Sequence, residues 1–558
     1  MQRYAPAVHA RLRKAAHMTA LECVVIGYNS GEFDDYRAMC ERAGADSPEM
    51  QIYRKEHMVV DGTAMSWMDA FSVLRARATG RNDRYHVGEV YNLAALYLSS
   101  HLRRSGLRTD SVSLFDAEQD RLADLLAQRP AVVAVTTTFY VNILPVIPIV
   151  EFVREHSPSS HVVVGGPLID NLCRDGVDER AQDLLFAMGA DSYIQESQGE
   201  NALVSLCGAV RSGAGLDEVD NLVLCRDGKW SLTRRRIENN DLDACSIDWG
   251  GFDPRLIGVT AQTRTARSCA FKCSFCDYPS RAGALTTASV DTVRKELREL
   301  ARMGVRNVVF VDDTFNVPPK RFKEICRMII EEDLGLNWYS YFRASNARDD
   351  ESFDLAAESG CAGVFLGIES GDPTVLKTMR KLAQDDQYRV GIQRLKERGI
   401  ITFASILVGF PGETEQTVQN TVDFLNETAP DFWRAQAWWA NPRSPVYRQK
   451  DDFAIKGEGY NWSHHTMTSA EAAAHTDAMF AAVTESLWLP LYDFDFWSLP
   501  YLHGKGLDTA SLRTLLRISK QIMLERDRAN GSPALRILEQ QFAAAVANVS
   551  VEPPRFTL

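Results

Sequence analysis

The sequence predicts an α/β chain: a doubly wound, Rossmann-like parallel sheet, then a partial barrel of six βα units, then a mainly helical C-terminal region. Three observations carry this. Short Val- and Ile-rich runs alternate with helix-patterned stretches through most of the 558 residues, as in parallel strands covered by helices. The strand ends are repeatedly polar or glycine-rich, which is where such sheets take ligands. A Cys-x3-Cys-x2-Cys triplet, Cys269, Cys273 and Cys276, closes the first strand of the second half.

The elements follow in chain order. Residues 1–18 are basic but lack the apolar run of a signal peptide and read as an N-terminal extension. Residues 19–232 form the first domain. Its strands are the runs from Leu21, Ala131 and His161 and the short Asp191-Ser-Tyr-Ile-Gln, with a helix over 93–107. Residues 30–85 interrupt the alternation as an insertion of unread structure. The strand ends carry Thr136, Thr137 and Thr138, then Gly165, Gly166 and Pro167, then Gly199 and Glu200, which opens a helix; paired glycines let a ligand approach the backbone closely. The charged, irregular stretch 233–252 reads as a linker.

Residues 253–445 form the barrel domain, with strands at 257–263, 307–312, 337–342, 362–368, 401–408 and 433–439. Chemistry belongs at the carboxyl ends of such strands. There stand the cysteine triplet, Asp312 and Asp313, Arg343, Glu369 and Ser370, and the turn from Gly409 through Pro411 to Glu413. Residues 446–558, a C-terminal substrate-associated region, carry aromatics and histidines: His464 and His465 beside Trp462, then Phe494, Phe496 and His503. Most of these aromatics suit a core; the histidines are candidate proton carriers, because imidazole titrates near neutral pH.

Composition narrows the function. A net charge of −12 argues against nucleic acid as the main partner. The apolar stretch 131–153 contains threonines, an asparagine and prolines, so it parses as strand, loop and helix rather than a membrane span. Of the eleven cysteines, the eight outside the triplet show no paired spacing, which argues against a disulfide framework and fits a reducing cytoplasm. The triplet is one ligand short of a structural zinc site, and no histidine lies nearby to complete it. Three thiolates suit a [4Fe–4S] cluster, which usually takes four cysteines; here one iron stays open to a further ligand. Phe275, just before the last cysteine, is placed to shield the cluster or flank an adenine ring.

With these residues together, the chain resembles the cobalamin-dependent radical S-adenosylmethionine (SAM) enzymes, class B radical SAM methyltransferases, over residues 19–445. The resemblance implies an N-terminal B12-binding domain, with Thr136–Thr138, Gly165–Pro167, Gly199 and Glu200 on cobalamin. It implies a [4Fe–4S] cluster on the three cysteines. It places Asp312 and Asp313 at the methionine amine, Arg343 at its carboxylate, Glu369 and Ser370 at the ribose, and the strand from Ile406 through Gly409 to Pro411 beside the adenine. No Asp-x-His-x2-Gly occurs, so no histidine is supplied as a lower cobalt ligand.

The runs Val135–Val141, Asp312–Asn316 and Trp462–Met467 resemble the phosphinothricin-type P-methylase subgroup. The activity so implied is methyl transfer from methylcobalamin to an unactivated carbon or a phosphinate phosphorus of a natural-product intermediate. The substrate would be a small molecule or a peptide, and the electron donor a flavodoxin or ferredoxin. Two alternatives stand beside it: a non-methylating rearrangement or cyclisation, and a non-enzymatic B12 sensor or carrier with a structural cluster. Methylthiolation of tRNA would need a second cluster, for which the other cysteines are wrongly spaced.

Overall fold

Valine-rich runs that are apolar at every position, such as Val-Val-Ala-Val, become strands buried on both faces. In the computed structural model, which describes residues 21–346, 349–383, 385–490 and 497–558, such strands organise two compact units. One comprises residues 21–31 with Tyr91–Phe252, the other Glu32–Val90 with Asp253–Leu558.

In the first unit the strands are β1 (Cys23–Tyr28), β2 (Thr109–Leu114), β3 (Val132–Thr136), β4 (His161–Gly165), β5 (Ser192–Ile194), β6 (Leu222–Arg226) and β7 (Lys229–Leu232). Their order is β7-β6-β5-β4-β3-β1-β2, with β1 to β5 parallel and β6 and β7 antiparallel. The five parallel strands therefore run 2-1-3-4-5, whose switch point lies between β1 and β3. Val24, Ile26, Val133, Val135, Val162 and Val164 form the core. Sequence reading missed β2, whose Thr-Asp-Ser-Val-Ser-Leu is mostly polar and lacks the apolar run of the other strands. It also missed the β6–β7 hairpin, which turns on Asp227 and Gly228, both at positive φ, the pairing a tight hairpin requires.

The second unit holds seven parallel strands in sequence order: β8 (Thr260–Thr263), β9 (Asn307–Phe310), β10 (Asn337–Phe342), β11 (Cys361–Glu369), β12 (Ile401–Val408), β13 (Phe432–Ala437) and the short β14 (Leu487–Trp488). The first six are those expected from sequence. A helix at Ser498–Gly504 covers the amino ends, where Thr260 Oγ1 and Asn307 Nδ2 both donate to the Pro500 carbonyl at 3.1 and 2.8 Å. The carboxyl ends carry the loops described below.

Two segments lie differently from the sequence expectation. The insertion after β1 belongs to the second unit: Trp67, fully buried, donates to Ser519 Oγ at 3.2 Å and packs edge-on against Phe542. Arg75 caps the last turn of the helix Pro533–Asn548 through the carbonyls of Val546, Ala547 and Val549. The stretch 233–252 is not a free linker. Glu238 accepts from the backbone N–H groups of Asn201 and Ala202 at 2.9 and 2.8 Å, capping the helix Glu200–Ser212 of the first unit. Phe494 and Phe496 and the basic N-terminal extension lie outside the described residues.

Candidate active site

The cysteine loop is held from both sides. On one, Asp312, just beyond β9, accepts from the backbone N–H groups of Thr265 and Ala266 at 2.6 and 2.9 Å and from the Thr265 hydroxyl. Arg321 braces the same residue, donating to Thr265 Oγ1 at 3.1 Å and to its carbonyl at 3.0 Å. On the other, Ser274 N–H donates to Met379 O and Ser274 Oγ to Thr378 O, both at 2.8 Å, while Val446 N–H donates back to Ser274 O at 2.8 Å. Between these anchors Cys273 is buried and Cys269 and Cys276 are half-buried; none is in a disulfide.

Burial, with Asp277, Cys273 and Asp313 adding to it against the Tyr278 N–H, pushes the Cys276 thiol up to about 11. A bound metal would have to displace that proton. Among the described residues no three His, Cys, Asp or Glu side chains converge on a single metal ion. Cys269, Cys273 and Cys276 are three free thiols on one loop that would hold a larger metal group.

Asp312 is therefore an anchor of the loop. Burial pushes its carboxyl above the usual range against the pull of the Thr265 and Ala266 donors, and its oxygens are spent on Thr265 and Ala266. Asp313 is the exposed member of the pair; the protein crowded around its carboxyl, and then Asp312, push it up to about 7.

Arg343, at the end of β10, is fixed by Asn316, whose side chain both donates to the Arg343 carbonyl and accepts from its N–H at 3.0 Å. Its guanidinium lies 3.8 Å from the centre of the Phe271 ring, on the cysteine loop. Nε donates to Ser345 Oγ at 3.4 Å, and Nη2 is buried without a hydrogen-bond partner. A buried guanidinium N–H without an acceptor is costly, so this nitrogen suits an anionic ligand group.

Glu369 ends β11 with φ at +69°, and its Oε1 pairs with Lys381 Nζ at 2.9 Å. Burial opposes charge on Lys381, but Glu369, Tyr388 and Cys273 outweigh it and hold the ammonium above its ordinary range. Lys381 Nζ also lies 5.5 Å from the centre of the Phe275 ring. Gly367 is required beneath this pair: a Cβ there would lie 2.6 Å from Glu369 Oε1. Sequence reading missed Lys381. It sits in a Met-Arg-Lys-Leu turn that reads as solvated, and only the fold brings it to Glu369.

Ser370 is spent locally, bonding Thr421 Oγ1 at 3.3 Å and accepting from Asp372 N–H at 3.1 Å. Ile406 is buried in β12 opposite Glu369. Gly409 has φ of +87° and no room for a Cβ, which would lie 2.6 Å from both Ala472 and Trp462. Its N–H donates to Glu413, whose carboxyl burial pushes up to about 8. Pro411 is buried, and its neighbour Phe410 meets Phe275 and Trp438 edge-on.

The histidines turn out to be structural anchors. His464 stacks on Trp462 with ring centres 5.0 Å apart. Nδ1 accepts from Thr466 N–H at 3.3 Å, leaving Nε2–H to donate to Gly409 O at 2.9 Å. Burial lowers its proton affinity, so it is neutral with both nitrogens engaged. His465 donates from Nδ1 to Phe453 O at 2.9 Å. His503, within the helix that covers the amino ends, bonds Tyr339 at 2.8 Å, and burial pushes it down to about 4. None is poised to move a proton at the cysteine loop.

In the first unit, Thr137 Oγ1 donates to Gly165 O at 2.9 Å and accepts from Leu168 N–H at 3.2 Å; Thr136 and Thr138 bond each other at 2.9 Å. Gly166, at φ +107°, leaves Thr137 the space that a Cβ would fill, and Pro167 opens the next helix. Gly199 enters the helix Glu200–Ser212 at φ +70°, and Glu200 turns inward to accept from Asn240 at 2.8 Å. Beyond the threonines Phe139, Val141 and Leu144 stand exposed, beside Tyr28 at the end of β1. Sequence reading used this run as a family mark and did not anticipate its exposure.

This arrangement, three free thiols and a polar ring at the carboxyl ends of a parallel partial barrel, coincides with a match to the Radical SAM superfamily family model over residues 263–425. The chain thus carries a radical SAM domain, which implies a [4Fe–4S] cluster and SAM; Cys269, Cys273 and Cys276 are three unbridged thiols of the right chemistry for the former. The chain is 26% identical over 322 residues to the anaerobic magnesium-protoporphyrin IX monomethyl ester cyclase of Rubrivivax gelatinosus, covering 54% of this chain and 55% of that protein. It spans about half the length of the first curated relatives it matches. Its fold is similar to that of the radical SAM methyltransferase TsrM from Kitasatospora setae, solved with cobalamin and a [4Fe–4S] cluster (TM-score 0.54, 18% identity, 78% of this chain, 75% of that one). It is also similar to the cobalamin-dependent SAM radical enzyme OxsB (TM-score 0.58, 14% identity, 96% and 76%).

Proposed function

We propose that this chain is a cobalamin-dependent radical SAM methyltransferase acting on an unactivated carbon or a phosphinate phosphorus. The observation that carries the reading is the loop of three unbridged cysteines, braced by Asp312 and Ser274, at the carboxyl ends of the barrel. When bound, the cluster supplies the electron that splits SAM to a hydrogen-abstracting radical, and cobalamin carries the methyl group.

The chain's own residues do the rest. Arg343, with its unpartnered Nη2, receives the methionyl carboxylate. Asp313 accepts from the amine. Glu369, oriented by Lys381, accepts from the ribose hydroxyls, and the buried Ile406–Pro411 segment with Phe275 walls the adenine and excludes water. Cobalamin belongs on the first unit, at the switch point between β1 and β3. The exposed Phe139, Val141 and Leu144 beside a glycine-lined strand end suit a large, partly apolar ligand. The described histidines of that unit, His101, His156 and His161, lie in helices or at the start of β4. The phosphinothricin-type subgroup and the natural-product setting rest on the sequence resemblance.

A second reading, cyclisation without methyl transfer, is favoured by similarity to the cyclase. The deciding experiment is anaerobic reconstitution with iron, sulfide and cobalamin, then turnover of methyl-labelled SAM with an H-phosphinate and with candidate peptides. Labelled methyl in product together with 5′-deoxyadenosine supports the proposal. 5′-Deoxyadenosine with substrate altered but unlabelled selects cyclisation or rearrangement. Absence of SAM cleavage leaves a cobalamin carrier or sensor.

A further inference from the structure

We infer that Arg434 is the receptor for an anionic substrate head: an organic oxyanion, carboxylate or phosphinate, seated with its apolar body on an aromatic floor inside the second-unit barrel. The inference deepens the function proposed above and takes its reaction from it. Arg434 lies on β13 opposite Ser405 of β12, which in turn lies opposite Gly367 of β11. Two residues back along these strands, on the same face because a strand alternates with period two, Phe403 opposes Phe365, and Phe365 opposes Tyr341.

Those three rings pack edge-on, Tyr341 to Phe365 at 4.7 Å and Phe365 to Phe403 at 4.9 Å. The Arg434 guanidinium lies 5.9 Å from the centre of Phe403. Gly367 shows which face this is, since the space beside it holds Glu369 and Lys381. Arg434 therefore stands on the face of the sheet that carries the site.

Like Arg343, it has a buried guanidinium nitrogen that lacks a partner. Its Nε is buried without a hydrogen-bond acceptor, and among the described residues no carboxylate pairs with it. The chain has 74 acidic residues against 62 basic ones, so acceptors were plentiful. The neighbouring cations are committed: Lys381 to Glu369, and Arg343, three strands away, to the side of the cysteine loop through Phe271. A guanidinium is a planar fork that matches carboxylate and phosphinate oxygens two at a time, and an arginine left uncompensated inside a barrel is costly unless a ligand completes it.

The test uses the reconstituted full chain with phenylphosphinate and benzoate as probes and benzyl alcohol as the neutral control, read by broadening of their NMR resonances. SAM retention is followed by equilibrium dialysis. Binding of at least one anion to the native chain, weakened about tenfold or more in Arg434→Gln and less in Arg434→Lys, supports the inference, and the anion retained identifies the head group. Equal binding to Arg434→Gln, no binding of either anion to the native chain, or equal binding of benzyl alcohol overturns it. Loss of SAM in parallel with the probes assigns Arg434 to SAM and also overturns it. If Arg434→Gln does not fold, Arg434→Lys decides, since it keeps the charge without the fork: unchanged affinity for both anions overturns the inference. Arg434-dependent anion binding by a chain that never cleaves SAM leaves the anion site standing and removes the radical reading instead.

Discussion

Replacing Lys381 with methionine strips Glu369 of its ion-pair partner at nearly constant volume. The two charges are 2.9 Å apart, with 8% and 15% of their side-chain surfaces exposed. At an effective dielectric of about 20 their attraction is about 6 kcal/mol, much of which offsets the cost of taking both ions out of water. Leaving one charge of such a pair behind costs about 3–5 kcal/mol. Lys381→Met is therefore expected to lower the stability of the second unit by that amount. Removing both charges, in Lys381→Met with Glu369→Gln, recovers at least half of it. The assay is urea unfolding followed by tryptophan fluorescence, which reports mainly this unit because only Trp230 and Trp249 lie in the other. A loss of this size moves the midpoint by about 1 M or more if the slope is unchanged. The reasoning is refuted if Lys381→Met falls within about 0.5 kcal/mol of the native chain, or if the double variant loses the sum of the single losses.

Other expectations follow from the same geometry. Glu413 is held protonated by burial, with a folded pKa near 8 against an ordinary 4.5. Its contribution is thus fully present below about pH 4.5 and lost as pH rises through 8. Glu413→Gln should flatten that decline in urea midpoints measured between pH 5 and pH 9. Gly409→Ala forces a Cβ to 2.6 Å from Ala472 and Trp462 at positive φ and should cost about 2–4 kcal/mol, measured by the same unfolding assay. Asp312→Asn replaces one acceptor oxygen with a donor facing Thr265 or Ala266, so iron and sulfide content after reconstitution should fall while far-UV circular dichroism holds. Cys273→Ala should abolish 5′-deoxyadenosine formation from SAM, measured by chromatography of the quenched reaction.

Much of the architecture was legible because parallel strands announce themselves. Val-Val-Ala-Val at 132–135 and Val-Val-Val at 162–164 have no amphipathic alternative, and the six barrel strands recur at helix-length intervals. The cysteine triplet was legible because its spacing is local. What stayed hidden is set by distant partners. Lys381 acquires its role from Glu369 on another element. Arg434 is one of two polar residues in Phe-Trp-Arg-Ala-Gln-Ala, where sequence does not say which face looks inward. His464 near Trp462 suggested a pocket, but its nitrogens meet Gly409 and Thr466, and such backbone and side-chain partners have no signature. Asp312 and Asp313 are adjacent and chemically identical, yet only the loop geometry makes one an anchor and leaves the other exposed.

The excursion of residues Glu32–Val90 out of the first unit also fixes when this protein can mature. β1 must wait for β2 and β3, made about eighty to a hundred residues later. Trp67 must wait for Ser519, 452 positions on. The strand Asp83–Arg84 is completed only by Phe556–Thr557, which is made far later in the chain. Neither unit is a contiguous stretch of chain, so the ribosome cannot hand them over one at a time as it does for beads on a string. Such long-range closure is slow. It leaves the aromatic faces of the early segment uncovered until those distant partners are made, so chaperone occupancy should concentrate on residues 32–90 of the nascent chain.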